Sequence, residues 1–225
     1  GAWNRAQPCE GSCRWILPKF ELNIDENAKV DVEDSEEQIV VKSGNAKLVI
    51  TKENWSMTYY NGNQKMCASS GRNLAYMRTD WKGDAYVSSY DNDAYMRQQL
   101  SIGVGELLYG AGEHFGPFVK NGQSIDIWNE DGGTSTDQSY KNIPFYISNK
   151  GYGIFINHSD RVSLELATEM VTKAEFSVPG ESLDYFFING PEMKDVLRRY
   201  TDLTGKPALP APWTFGLWLS TDRKS

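Results

Sequence analysis

From Lys19 onward, turn residues interrupt this chain so regularly that the runs between them have room only for short strands. Their spacing, about 8–12 residues, is the rhythm of an antiparallel sandwich or barrel. Phe20, Leu22 and Ile24 alternate, as a half-buried strand should. Ile39-Val40-Val41 and Leu48-Val49-Ile50 flank Gly44-Asn45, a hairpin. Residues 55–60 and 64–68 flank Asn61-Gly62, where Asn-Gly supplies the positive φ angles of a type I′ turn. The series continues through 74–77, Ala85-Tyr86-Val87, 95–102, 143–147, 153–156, 162–166, 174–178 and 183–188. The acidic run 31–37 reads as a solvated face or turn. Asp126, between Ile125 and Ile127, reads as the solvent side of a strand.

One stretch breaks the rhythm. Between strand-like flanks lies Trp128-Asn129-Glu130-Asp131-Gly132-Gly133-Thr134-Ser135-Thr136-Asp137, a polar loop carrying an aromatic. Such loops are where binding chemistry gathers. Upstream, Glu113 beside His114 reads either as a base with its partner or as loop structure. Gly110-x-Gly112-x-x-x-Gly116 mimics a dinucleotide fingerprint, but its third glycine comes one place late and Pro117 follows. His158 reads as a surface loop residue.

After residue 190 the period changes. Met193, Val196, Leu197, Tyr200 and Leu203 recur at helical spacing, with Pro191 in the first turn, and Gly205 and Pro207 end the helix. A stiff connector, Ala208-Leu209-Pro210-Ala211-Pro212, leads to Trp213-Thr214-Phe215-Gly216-Leu217-Trp218-Leu219. A nearly continuous apolar run suits a strand buried on both faces. Burying each large side chain contributes about 1.5–3 kcal/mol. The run therefore predicts a second domain that starts here. Residues 1–18 show neither period and are an unassigned arm. The expected organisation is a β-sandwich over 19–190, a helix and linker over 191–212, and the start of a second domain over 213–225.

The net charge of -7 opposes a nucleic-acid partner, which wants a basic surface. No apolar run is long enough to span a membrane. Cys9, Cys13 and Cys67 form neither a disulfide framework nor a zinc site. A cytoplasmic location is the default expectation, with no metal or cofactor.

The ordered segments Gly110-x-Gly112-Glu113-His114-Phe115, Val119-Lys120-Asn121-Gly122-Gln123, Trp128-Asn129-Glu130-Asp131-Gly132-Gly133-Thr134-Ser135-Thr136 and Tyr140-Lys141-Asn142-Ile143-Pro144-Phe145-Tyr146 closely resemble glycoside hydrolase family 31, in its bacterial α-xylosidase branch. Phe176-Ser177-Val178, Gly205-Lys206-Pro207 and the Trp213 run extend the likeness. The resemblance implies a galactose-mutarotase-like β-sandwich, then a (β/α)8 catalytic barrel whose first strand is the Trp213 run. It implies retaining hydrolysis of oligosaccharides carrying α-linked xylose or glucose. That chemistry uses two carboxylates about 5–5.5 Å apart. In the family both are aspartates on later barrel strands, and no segment here matches them. The chain is thus expected to be an accessory domain without a catalytic residue of its own. Its partners would be the oligosaccharide, the absent barrel and, as an open option, a second copy of itself.

The resemblance also sends loop 128–136 over the barrel mouth, with Asp131, Trp128 and Glu130 as substrate-binding residues. Asp131 accepts from sugar hydroxyls or shapes the turn at Gly132-Gly133. Trp128 stacks on a sugar or packs the loop base. Two alternatives are a free-standing carbohydrate-binding or assembly module and an aldose mutarotase. The last would need a Glu base and His acids, with only His114 and His158 available.

Overall fold

A computed structural model of the chain describes residues 19–78, 94–130, 136 and 138–218. The strands are β1 (Asp31–Asp34), β2 (Gln38–Ser43), β3 (Ala46–Thr51), β4 (Ser56–Asn61), β5 (Gln64–Ser69), β6 (Leu74–Arg78), β7 (Ala94–Ser101), β8 (Leu108–Gly112), β9 (Gln123–Ile127), β10 (Asn142–Ser148), β11 (Tyr152–Ile156), β12 (Val162–Leu166), β13 (Lys173–Pro179) and β14 (Tyr185–Asn189). They form three antiparallel sheets, ordered β1-β2-β3-β4-β5, β6-β7-β13-β12-β9 and β14-β11-β10-β8. Among the described residues no helix is long and apolar enough to cross a membrane. Ala85-Tyr86-Val87 and the arm 1–18 lie outside the described residues.

Alternation explains the packing. Leu100 of β7, Phe176 of β13 and Leu164 of β12 meet Tyr146, Tyr152 and Ile154 of β10 and β11 in one core. The first sheet adds Tyr59, Met66 and Cys67 to it. It joins the second sheet where the Ser101 hydroxyl accepts from the Ala68 amide at 2.9 Å. The third sheet is covered on its other face too. Phe145, Ile147 and Phe155 point there and pack against Val196 of α1 (Met193–Thr204). Strands β10 and β11 are therefore buried on both faces and read as continuous apolar runs. The ring of Tyr200 stacks on Phe145 with centroids 4.2 Å apart.

Several expectations are corrected locally. The two hairpins form, but Ser43 pairs with Ala46 and Asn61 with Gln64. The central residues are thus Gly44-Asn45 and Gly62-Asn63, and only Gly44 and Gly62 take positive φ, 56° and 57°. That is the type II′ pattern, which wants Gly first. The acidic run is solvated as expected: Asp31–Asp34 form an exposed edge strand, β1, with Glu33 and Asp34 ion-paired to Lys42 and Lys52, and the exposed residues 35–37 lead into β2. Charge on an edge discourages pairing with other chains. Phe20, Leu22 and Ile24 do not enter a sheet. The Phe20 amide donates to Asn157 Oδ1 and the Asn23 amide to the Leu203 carbonyl, so the segment straps the helix layer. Pro191 precedes the helix cap, Glu192, rather than sitting in the first turn.

The expected strand at 213–219 is also different. Pro212–Phe215 makes one 3-10 turn. Trp213, Phe215, Leu217 and Trp218 are 82%, 72%, 92% and 81% exposed. A strand backbone needs a neighbour to bond with, and no described strand pairs with this segment.

Candidate functional site

Strand β9 delivers the chain to Trp128, and residues 138–142 take it back. The two limbs are tied at their base. Asn129 and Ser139 form an isolated bridge, and the Glu130 amide donates to the Ser139 carbonyl at 3.0 Å. Asn142 is the clamp. Its amide nitrogen Nδ2 lies 2.8 Å from the carbonyls of both Trp128 and Ser139, and its backbone N–H donates to Asn129 Oδ1 at 2.9 Å. Nothing in the sequence marks Asn142 as such, because its partners lie across the loop.

Two of the three candidate ligands are among the described residues. Trp128 is 39% exposed, at the loop base. Glu130 is half-buried and engaged: Gln138 Nε2 donates to it at 2.6 Å, and Arg161 stands 3.8 Å away. Asp131 lies outside the described residues.

Beside the loop is a hollow of about 480 Å³ between residues 110–120 and 138–141. Its back wall is β8, held close to β10. A Cβ on Gly112 would stand 2.1 Å from the Lys141 carbonyl oxygen, so the glycine there answers to packing and not to phosphate binding. Glu113 and His114 do not act on each other: Glu113 pairs with Lys141 at 3.1 Å, and His114 Nε2 bonds the Ala111 carbonyl at 2.9 Å. Of the two readings of this pair, the structure supports loop fixation.

Residues 14–165 match the glycosyl hydrolase 31 N-terminal galactose mutarotase-like domain. The chain belongs to that family. It is 52% identical over 161 residues to an α-xylosidase of Emericella nidulans, covering 70% of this chain and 21% of that protein. It is 44% identical over 206 residues to the α-xylosidase XylQ of Lactiplantibacillus pentosus, covering 91% of this chain and 26% of that one. The chain thus spans about a quarter or less of these relatives. Among solved structures, a Flavobacterium johnsoniae GH31 dextranase bound to isomaltotriose matches with a TM-score of 0.74 at 22% identity, over 90% of this chain and 24% of that one. That likeness carries the fold alone.

Two buried groups of this mutarotase-like domain were not legible as such. Glu106 is 4% exposed and accepts from the Gly103 amide at 2.6 Å, Ser148 Oγ at 2.6 Å and Tyr152 OH at 2.5 Å. His158, expected on the surface, is 4% exposed. Its Nε2 bonds the Pro179 carbonyl and its Nδ1 accepts from the Asp160 amide, which sets the neutral tautomer. Burial lowers its pKa from the ordinary 6.5. The unfolded chain therefore binds more protons at mildly acid pH. The stability this neutral histidine supports is complete above pH 6.5 and is lost as pH falls toward the lowered folded value. Thermal melts should decline below that pH, with a shallower decline in His158→Gln. An equal slope in both proteins would contradict this.

Cys67 is fully buried and unpaired, and burial raises its thiol pKa, so it is chemically quiet. Burial likewise pushes the Tyr185 hydroxyl up to about 12.

Proposed function

We propose that this chain is the accessory β-sandwich of a retaining α-glycosidase of the α-xylosidase type. Its substrates are oligosaccharides ending in α-linked xylose or glucose. The observation that carries this reading is the 44% identity to an α-xylosidase over 91% of the chain, a span that takes in loop 128–136. In this reading the two catalytic carboxylates come from a barrel that follows. The exposed Trp213, Phe215, Leu217 and Trp218 begin that barrel, where neighbouring strands and helices would cover them. Loop 128–136 borders the sugar pocket: Asp131 accepts from hydroxyls, Trp128 offers a ring face, and Glu130 braces the loop through Gln138 and Arg161. A cytoplasmic location goes with this reading.

The mutarotase alternative is disfavoured by both histidines. Each has its Nε2 occupied by a backbone carbonyl, and His158 is buried besides.

The test uses p-nitrophenyl α-xyloside. The chain alone should give no turnover above buffer. Fused ahead of the barrel of XylQ, it should restore hydrolysis, and Asp131→Ala in the fusion should lower kcat/KM about ten-fold or more. Turnover by the chain alone, abolished by Asp131→Ala, would refute the accessory reading.

A further inference from the structure

The hollow beside the loop has no part in the reading above, yet its walls are unusual for a surface. Phe115, Phe118 and Tyr140 line it and are 71%, 82% and 69% exposed. Single exposed aromatics are ordinary, but three around one concavity make an apolar wall that favours a covering ligand. The ring of Phe118 rests against Tyr109, centroids 5.3 Å apart, which limits its freedom before any ligand arrives. At about 480 Å³ the hollow falls within the span of roughly 300–1,000 Å³ common to small-molecule sites.

The polar groups there narrow the choice of ligand. Glu113 and Lys141 face each other at 3.1 Å with side chains 76% and 64% exposed, so their charges offset each other. A third charge, Lys120, is buried and donates its Nζ to the Pro117 carbonyl at 3.0 Å. With Lys120 tied to that carbonyl, either ion would meet one like and one opposite charge in the exposed Glu113–Lys141 pair, so the pair favours neither. A neutral ligand rich in hydroxyls finds an acceptor in Glu113, donors in Lys141 and both in Gln138.

We infer that this hollow binds a pyranose unit of a neutral oligosaccharide, with Phe118 and Tyr140 covering its C–H faces and Glu113, Gln138 and Lys141 bonding its hydroxyls. Pyranoses have this dual character: apolar faces suited to aromatic rings and a polar rim suited to charged or amide groups. The hollow adjoins the loop through the Ser139 hydroxyl, which donates to the Glu113 carbonyl, and through the Gln138–Glu130 bond. A sugar held here lies beside residues 128–130. The inference rests on the glycosidase reading for the source of its ligand, a unit of the substrate beyond the terminal α-linked residue.

The test measures binding to the whole chain, by NMR titration with isoprimeverose and with isomaltotriose. Amide shifts should cluster at Glu113, Phe118, Tyr140 and Lys141. Phe118→Ala and Tyr140→Ala should each weaken binding about ten-fold or more. Both side chains are largely exposed, so the variants should still unfold cooperatively with at most a modest drop in melting temperature, which separates lost binding from lost folding. Retained affinity in both variants, or the absence of shifts at these residues with either sugar, overturns the inference. Turnover by the barrel fusion is a separate readout, so failure of the glycosidase reading and failure of the hollow are told apart.

Discussion

Gly112→Ala is expected to destabilise the chain by about 3 kcal/mol or more. The residue has φ 92°, which side-chain-bearing residues rarely adopt. Its new Cβ would stand 2.1 Å from the Lys141 carbonyl oxygen and 2.9 Å from the Ile143 amide nitrogen. Those atoms are backbone, so no rotamer change relieves the clash. The strain also falls where the loop is anchored. Gly112 pairs with Asn142 at the end of β8, and the next residue, Glu113, donates its amide to Lys141 at 2.8 Å. Urea unfolding should show the loss, and hydrogen exchange should quicken at the Glu113 and Asn142 amides. Gly105→Ala is the comparison: its φ is 68°, with nothing within 4 Å of a new Cβ, so only the backbone term of about 1–2 kcal/mol remains. Equal losses in the two variants would show that contact with β10 is not the cause.

Glu106→Leu is expected to cost about 2–4 kcal/mol. The change strands two buried donors, the Ser148 and Tyr152 hydroxyls, while the Gly103 amide, on an exposed residue, can turn to water. Each buried donor left without a partner costs about 1–3 kcal/mol, and leucine returns some of that as apolar contact. Glu106→Gln keeps an acceptor oxygen and should cost roughly half as much. The two values come from chemical denaturation. If leucine proves no worse than glutamine, the carboxylate does not hold this corner together. The consequence reaches the candidate site, because Asn121 bonds both the Glu106 carbonyl and the Leu108 amide. Loosening Glu106 therefore loosens the entry to β8.

Strand β8 shows why part of this fold was hidden. Its sequence, Leu108 to Gly112, carries two glycines within five residues, so it looks like loop. Only the closeness of β10 makes glycine the fitting residue there. Phe20, Leu22 and Ile24 show the opposite error: their alternation is that of a strand, yet the segment bonds to Asn157 and Leu203 and pairs with no sheet. The acidic run 31–37 reads as solvated, and it is exposed, but its backbone bonds to β2 make an edge strand of it. By contrast Ile125, Asp126 and Ile127 behave as their order says, buried, exposed and buried along β9. Val196 likewise sits on the buried stripe of its helix.

What the residue order settles here is local: the alternation along β9 and β12, the glycines in the β2–β3 and β4–β5 turns, and the helix ending at Gly205, whose amide returns to Thr201. Side-chain period and turn geometry act over a few residues, so they can be read without knowing the neighbours. The clamp by Asn142, the burial of Glu106 and His158, and the spending of Glu130 on Gln138 and Arg161 are products of the assembled sheets. A polar side chain becomes brace, buried acceptor or ligand according to what packs around it, and those neighbours come from distant parts of the chain.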